Sequence, residues 1–346
     1  MPTSHWLTRH GLALGLGVVG TIVVVDVVLP EVSLSASYAV GAVVAGAMTT
    51  VRRTAIVAVL ALALSAVSFA WNDNFATADW IIRIAITVGL GAIAIASAQI
   101  RTTREQQLRH MTVVAETAQH RALRAMPTAV GSMGFAARYV SATEEALVGG
   151  DLYEVVASPH GIRVIVGDVR GKGLDAVQMA ATVLGVFRTA AFTQSSLADI
   201  ARDLDGAVKV YGGDEDFVTA LLAEFHDDHT VTLVNCGHHA PLLVTQTDDG
   251  HLVETGEPEP PLGLGPRPHS VTSRWPAGSR MLIYTDGLVE TRDRRGVFFP
   301  LGDYAAGLRQ GTLEEALDKL IERLVAYAGH RVHDDMALVL TEHKPT

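Results

Sequence analysis

The chain has 346 residues, a formal net charge of −10 and a hydrophobic share of 49%. That length leaves room for about two domains. The acidic balance excludes nucleic acid as the main partner, and the single cysteine, Cys236, excludes an internal disulfide and fits a reducing compartment.

Charge divides the chain unevenly. Residues 1–100 hold four basic residues (Arg9, Arg52, Arg53, Arg83) and four acidic ones (Asp26, Glu31, Asp73, Asp79), so the whole −10 belongs to residues 101–346. Four apolar stretches in the neutral part predict membrane spans, at 11–29, 35–50, 54–71 and 80–98. Each approaches the roughly 20 residues that cross the hydrocarbon core, the second being the shortest. A secretory leader accounts for the first stretch alone and not for the three that follow. Arg9, the Arg52-Arg53 pair, and Arg101 with Arg104 fall at alternate ends of the spans, whereas the loops at Pro30-Glu31 and 72–79 carry no Lys or Arg. The positive-inside rule then predicts a multi-pass cell-membrane protein with both termini in the cytoplasm. Asp26 and Arg83 lie near the outer ends of spans one and four. The expectation is two side chains reaching the interface; the alternative is a buried pair or a sensing site.

Residues 101–126 turn polar and hold no Gly or Pro. Leu108, Met111, Ala115, Ala118, Ala122 and Ala125 follow a 3-4-3-4-3 spacing, which fits a short coiled-coil seam. A parallel homodimer helix and a plain amphipathic linker both satisfy it. The expected organisation is a membrane domain over 1–100, a helical linker over 101–127 and a catalytic domain over 128–346.

From Phe135 onward, strand and helix signals come in groups. Strands are expected at 136–140, 151–157, 162–166, 218–224, 230–235, 242–245, 281–284 and 336–340. Helices are expected at 174–191, 197–211, 302–309 and 313–328. This grouping argues for an α+β layered domain rather than a regular βαβ array. Acidic turns punctuate the strands: Gly149-Gly150-Asp151, Gly167-Asp168, Asp286-Gly287 and the late pair Asp334-Asp335. Carboxylates at strand ends, with no Cys or His at ligand spacing beside them, suit Mg²⁺ or Mn²⁺ rather than zinc. Taken singly, a Gly-Asp or Asp-Gly pair reads as a plain turn with Gly supplying positive φ.

Several motifs occur together and in order. His120-Arg121-Ala122-Leu123 leads to Pro127, followed by Ala137-Arg138-Tyr139 and Val148-Gly149-Gly150-Asp151-Leu152-Tyr153-Glu154. Then come Gly167-Asp168-Val169-Arg170-Gly171-Lys172-Gly173, Phe217-Val218-Thr219-Ala220 and Cys236-Gly237-His238-His239-Ala240-Pro241. Tyr284-Thr285-Asp286-Gly287-Leu288-Val289-Glu290 and His333-Asp334-Asp335 close the set. In this set, residues 118–342 resemble the SpoIIE-type serine/threonine phosphatases, a branch of the protein phosphatase 2C-like, metal-dependent (PPM) family.

The resemblance implies a protein phosphatase 2C-like β-sandwich flanked by helices, with two Mn²⁺ or Mg²⁺ ions in a cleft at one end of the sheets. It implies that Asp168 bridges both ions, with the Val169 carbonyl helping to hold one. Asp151 would serve one metal, and Asp286 and Asp334 the other, with Asp335 the lesser candidate of its pair. Asp168 and Asp286 would be the catalytic centre, hydrolysing phosphoserine or phosphothreonine with a metal-activated water. The substrate so implied is a phosphorylated anti-sigma-factor antagonist. The helices at 174–191 and 197–211 resemble the elements through which such domains are switched.

No nucleophilic side chain is needed on this reading, so Cys236 is not a catalytic thiol. Gly171-Lys172-Gly173 lacks the full Walker spacing and is read as a tight turn beside Asp168. His238 and His239 are read as turn residues, and Lys209, Glu290 and Arg292 as solvated. Glu154 stands where the family has Asp, and Arg170 where a small residue is common. The main rival function is a catalytically silent signalling scaffold of the same fold. A small-phosphomonoester hydrolase also stays open, whereas a transporter is disfavoured because the spans hold few polar groups.

Overall fold

A computed structural model describes residues 3–29, 33–72, 75–123, 125–141, 149–248, 250–329, 332 and 334–343. The chain divides into two compact units, Met1–His110 and Met111–Thr346.

The first unit is helical. It comprises α1 (Thr3–Val28), a 3₁₀ turn (Ser35–Tyr38) leading into α2 (Ala39–Met48), α3 (Val51–Val67), α4 (Phe69–Asn72) and the first part of α5 (Ala78–Ala122). By length and composition, His10–Val28, Val51–Asn72 and Ala78–Gln107 can cross a membrane, while Ser35–Met48 is shorter. Their apolar side chains point outward as well as inward: Val24, Val59 and Ile93 are each more than half exposed. Such a surface is costly in water and suits a lipid solvent. Small residues let the helices meet closely, since a Cβ on Gly41 would stand 2.5 Å from the Gly15 carbonyl oxygen. The predicted fourth span and the linker are one continuous helix, α5, because no Gly or Pro interrupts 92–122. The linker's seam side chains at Leu108, Met111, Ala115, Ala118 and Ala122 lie outside the described residues, as do Pro30-Glu31.

Asp26 departs from expectation. It is fully buried and accepts hydrogen bonds from Tyr38 Oη (2.5 Å), Trp71 Nε1 (2.9 Å), Asn72 Nδ2 (3.3 Å) and the Leu34 N–H. It therefore ties the ends of three helical segments together instead of reaching outward. Arg83 does not pair with it; Arg83 bonds Asp79 (2.7 Å) and the Ser33 carbonyl.

The second unit is an antiparallel sandwich with helices on both outer faces. In chain order it contains β1 (Ala129–Val130), β2 (Met133–Val140), β3 (Leu152–Ser158), β4 (Gly161–Val169), α6 (Leu174–Thr193), α7 (Leu197–Tyr211), β5 (Val218–Phe225) and β6 (Thr230–Cys236). Next are β7 (Leu242–Val244), β8 (His251–Leu252), β9 (Val271–Arg274), β10 (Arg280–Tyr284), α8 (Asp286–Val289), α9 (Leu301–Tyr304), α10 (Leu313–Tyr327) and β11 (Met336–His343). One sheet runs β1-β2-β11-β10-β7-β8 and the other β3-β4-β5-β6-β9. The helix expected at 302–309 is the short α9 followed by a 3₁₀ turn, Ala305–Arg309.

Strand alternation builds the layers. Val164 and Val166 face the core between the sheets, with Phe135, Leu221 and Ile283. Ile165, pointing the other way, packs with Val183, Phe187 and Leu204 of α6 and α7. On the opposite outer face, Leu317 and Leu324 of α10 cover Leu282, Leu338 and Leu340. Both faces of the central strands are thus buried, which is why they read as unbroken apolar runs. The α6 helix is apolar enough to resemble a span, yet one side of it is sealed against the sheet. Its C-terminal carbonyls are capped from below: buried Arg163 donates to Ala191 (2.9 Å) and Gln194 (2.6 Å) and pairs with Glu224 (2.5 Å).

This topology gathers four chain segments at one end of the sandwich. Leu152 at the start of β3 pairs with Gly167 near the end of β4, and Tyr284 at the end of β10 pairs with Leu338 near the start of β11. Thr285 joins the two sheets there, donating from Oγ1 to Asp151 Oδ2 at 2.9 Å.

Candidate metal centre

Asp151 precedes β3, Asp286 opens α8, and Asp334 and Asp335 precede β11. Asp168 differs from the sequence expectation. It is not in a turn but inside the β4 ladder, paired with Thr219 of β5. The neighbouring glycines also act differently from expected. Gly149, Gly150, Gly167 and Gly287 are not among the positive-φ residues. They are glycine because there is no room: a Cβ would stand 2.2 Å from Asp335 Oδ2 at Gly149 and 2.6 Å from the Val169 carbonyl oxygen at Gly150. At Gly167 it would stand 2.4 Å from the Thr219 carbonyl oxygen, and at Gly287 2.1 Å from that of Asp335. Close backbone approach at these points lets the carboxylate-bearing segments converge. Gly171 and Gly173 do adopt positive φ, +96° and +93°, forming the tight turn that ends β4 and starts α6.

The carboxyl groups share one electrostatic field. Burial, then the charge of Asp168, holds Asp151 well above the usual carboxylate range, although its bond from Thr285 acts the other way. Asp168 is raised to about 7, first by burial and next by Asp286, with Asp334 adding to it. Asp286 is raised by burial, then by Glu290 and Asp334. Like charges crowded in a low-dielectric site resist ionisation unless a cation joins them. A protein cation stands among them: Lys172 Nζ bonds Asp334 Oδ1 at 2.5 Å. Burial lowers the Lys172 pKa, but Asp334 and the other aspartates outweigh that and raise it. Asp335 accepts from Ser141 Oγ at 3.0 Å.

The donors present are hard oxygens, and the glycine cradle gives them access to one another, so the residues fit Mg²⁺ or Mn²⁺ in kind. Among the described residues, however, no three Asp, Glu, His or Cys groups already stand at ion-gripping distances from one another. The carboxyl groups are thus close enough to raise one another's pKa without forming one ligand shell.

Thr285 and Gln119 were assigned no role from the sequence, and His238 was read as a turn residue. Thr285 is buried and accepts from the Ala337 N–H at 2.9 Å while donating to Asp151. Gln119, near the end of α5, donates from Nε2 to Tyr139 Oη (2.9 Å) and the carbonyls of Gly149 (3.1 Å) and Asp151 (3.4 Å). His238 is more than a turn residue. Its Nε2 bonds the Tyr284 carbonyl (3.0 Å), so that nitrogen carries the proton and Nδ1 accepts from Thr219 Oγ1 (2.9 Å). It brackets the strand ends that bear Asp168 and Asp286, and burial pulls its pKa down to about 3, which keeps it neutral. Thr285 and His238 lay within quoted motifs; Gln119 carried no sequence signal.

The remaining singled-out residues have local roles. Cys236 is fully buried and its thiol is pushed up to about 12 by burial, so it is inert. Glu154 accepts from Arg188 Nε at 2.7 Å, and Arg170 donates to the Glu215 carbonyl at 2.6 Å. Lys209 pairs with Asp205 at 2.7 Å, while Glu290 is exposed and His239 stacks on Tyr284 with centroids 5.9 Å apart. A cleft of about 280 Å³ lies beside the aspartates rather than on them, lined by Val169, Arg170, Asp175, Met179 and Tyr211.

The family model for stage II sporulation protein E (SpoIIE) matches residues 158–344, more than half of the chain. The chain belongs to the SpoIIE family. Its fold is shared with the RsbU and RsbW domains of Rv1364c from Mycobacterium tuberculosis, at 23% identity and a TM-score of 0.55, covering 65% of this chain and 64% of that one. The SiaA-PP2C domain of Pseudomonas aeruginosa matches at 16% identity and a TM-score of 0.55, over 71% of this chain and 98% of that one. The PP2C phosphatase domain with a regulatory-domain fragment of SpoIIE from Bacillus subtilis matches at 17% and 0.52, over 62% and 64%. The chain thus spans less than two thirds of the first and third of these. The SpoIIE-family unit has the protein phosphatase 2C-like fold: antiparallel sheets flanked by helices, following an apolar helical region.

Proposed function

We propose that this chain is a membrane-anchored, Mn²⁺- or Mg²⁺-dependent protein serine/threonine phosphatase, with both termini in the cytoplasm. Its substrate on this reading is a phosphorylated cytosolic regulator, an anti-sigma-factor antagonist. The observation that carries the proposal is the meeting of Asp151, Asp168, Asp286 and Asp334 at one sandwich end, where burial and the charges of Asp286 and Asp334 raise Asp168 to about 7. These four side chains and the Val169 carbonyl would hold two divalent ions. When bound, such ions neutralise a phosphate dianion and acidify a water. Thr285 and His238 fix the strand ends that carry the aspartates, and Lys172 pairs with Asp334. Through Gln119, the end of α5 grips the Gly149–Asp151 segment, which carries one of the four aspartates.

One observation favours the scaffold reading: Lys172 Nζ engages Asp334 Oδ1 at 2.5 Å. One assay separates the two. The full chain in detergent micelles is supplied with Mn²⁺ and p-nitrophenyl phosphate, then with a phosphoserine protein. The phosphatase reading expects turnover well above an Asp168→Asn control, and the scaffold reading expects none.

A further inference from the structure

On the phosphatase reading above, we infer that the hairpin spanning Thr291 to Phe299 is a docking surface for an acidic segment of the phosphoprotein substrate. The hairpin follows Asp286 by one short helix, and Thr291 Oγ1 fastens it to the Gly287 carbonyl at 2.7 Å. Its two arms are held by an isolated bridge between Arg292 and Phe298 and by Phe299 N–H donating to the Thr291 carbonyl at 2.8 Å. The turn is locked as well. Asp293 Oδ1 accepts from the N–H groups of Arg295 (2.8 Å) and Val297 (2.9 Å), and Gly296 supplies φ +84°. Tyr327 of α10 donates to the Phe298 carbonyl at 3.0 Å. A turn tied at this many points is pre-organised, so a partner binding it spends little on ordering the loop.

Val297 and Phe298 are 56% and 50% exposed, and the Arg292 guanidinium lies 4.2 Å from the Phe298 ring centroid. Arg292, Arg294 and Arg295 stand against a single Asp293, a local surplus of positive charge in a part of the chain that carries the whole −10. Among the described residues, the ion pairs do not include Arg292, Arg294 or Arg295. Exposed Arg beside an aromatic ring is the composition of binding hot spots, and charge complementarity selects an acidic partner. Screening over roughly 8 Å at physiological salt lets this patch act locally despite the acidic surroundings. An anionic lipid surface would satisfy the same charge, but the hairpin is fastened to α8, which Asp286 opens, and so stands beside the residue that would act on a phosphoprotein. The protein partner is therefore the occupant.

The test uses the full chain in phosphatidylcholine nanodiscs without metal, so that no turnover intervenes. Fluorescein-labelled phosphoserine peptides are compared by anisotropy, one flanked by Asp and Glu and one by Ala and Gln. The acidic-flanked peptide is expected to bind about tenfold tighter. The variant carrying Arg294→Glu and Arg295→Glu should lose that preference, the corresponding double Lys variant should keep most of it, and Val297→Ser should weaken both peptides. Turnover of p-nitrophenyl phosphate with Mn²⁺ should be the same in all of them. Equal binding of the two peptides, a preference that survives charge reversal, or displacement of the peptide by phosphatidylserine vesicles would overturn the inference. If the wild type discriminates between the peptides yet turns over no p-nitrophenyl phosphate beyond the Asp168→Asn control, the phosphatase reading fails and the docking surface stands.

Discussion

Replacing Thr285 by Val removes one oxygen at nearly constant volume, and that oxygen makes two buried hydrogen bonds. It donates to Asp151 Oδ2 at 2.9 Å and accepts from the Ala337 N–H at 2.9 Å. Thr285 has no exposed surface and Asp151 only 2%, so water cannot replace either bond without rearrangement. The stranded Ala337 N–H costs about 1–3 kcal/mol, and the lost bond to Asp151 adds about 1 kcal/mol or more. Thr285→Val should therefore destabilise the Met111–Thr346 unit by about 2–4 kcal/mol in metal-free guanidinium unfolding. The same bond lowers the Asp151 pKa, so its loss raises that pKa further and makes protons stronger competitors for the carboxylate at neutral pH. Calorimetric Mn²⁺ affinity at pH 7 should fall in parallel. A variant within about 0.5 kcal/mol of wild type, with unchanged Mn²⁺ affinity, would refute the reasoning.

Gly287→Ala puts a methyl group 2.1 Å from the Asp335 carbonyl oxygen, which belongs to the backbone and cannot swing aside. A loss of about 1–3 kcal/mol and a displaced α8 are expected, read by thermal unfolding and by turnover. His238 has its folded pKa lowered to about 3 against an ordinary 6.5, so its contribution is present above pH 6.5 and is lost as pH falls towards 3. Measured against His238→Gln, wild-type stability should drop more steeply through that window, by at most about 1.4 kcal/mol per pH unit; parallel curves would contradict this. Gln119→Ala removes the grip of α5 on the Gly149 and Asp151 carbonyls, and hydrogen exchange at 149–151 should quicken several-fold if that grip holds the segment.

How much of this was legible in the sequence depends on what each residue faces. The central strands were visible because both of their sides are buried; Val164, Ile165 and Val166 serve two cores in succession. Helix α7 was readable to its ends, since Ser196 caps the Asp199 N–H at 3.2 Å and Gly212 closes it. The edge strands β8 and β9 were not. His251–Leu252 is exposed throughout, and Val271–Arg274 is half exposed and polar, so neither carries a periodic apolar signal. The aspartate motifs were legible because each is local, and the structure brings their segments to one sandwich end. Asp168 was nonetheless assigned to a turn, since Gly167 looked like a turn residue when its actual constraint is the Thr219 carbonyl across the ladder. Thr285 and Gln119 act through partners far along the chain, and no local pattern encodes such contacts. Asp26 was misjudged for the same reason: its donors Tyr38, Trp71 and Asn72 come from other helical segments.

The central claim is that four aspartates from separate segments hold two divalent ions. The most direct measurement is a calorimetric titration of the full chain with MnCl₂ at neutral pH, beside Asp168→Asn. The account predicts saturable uptake of about two equivalents by the wild type, lost or sharply weakened in the variant that removes the shared carboxylate. No uptake by the wild type, or identical uptake by both proteins, would contradict it.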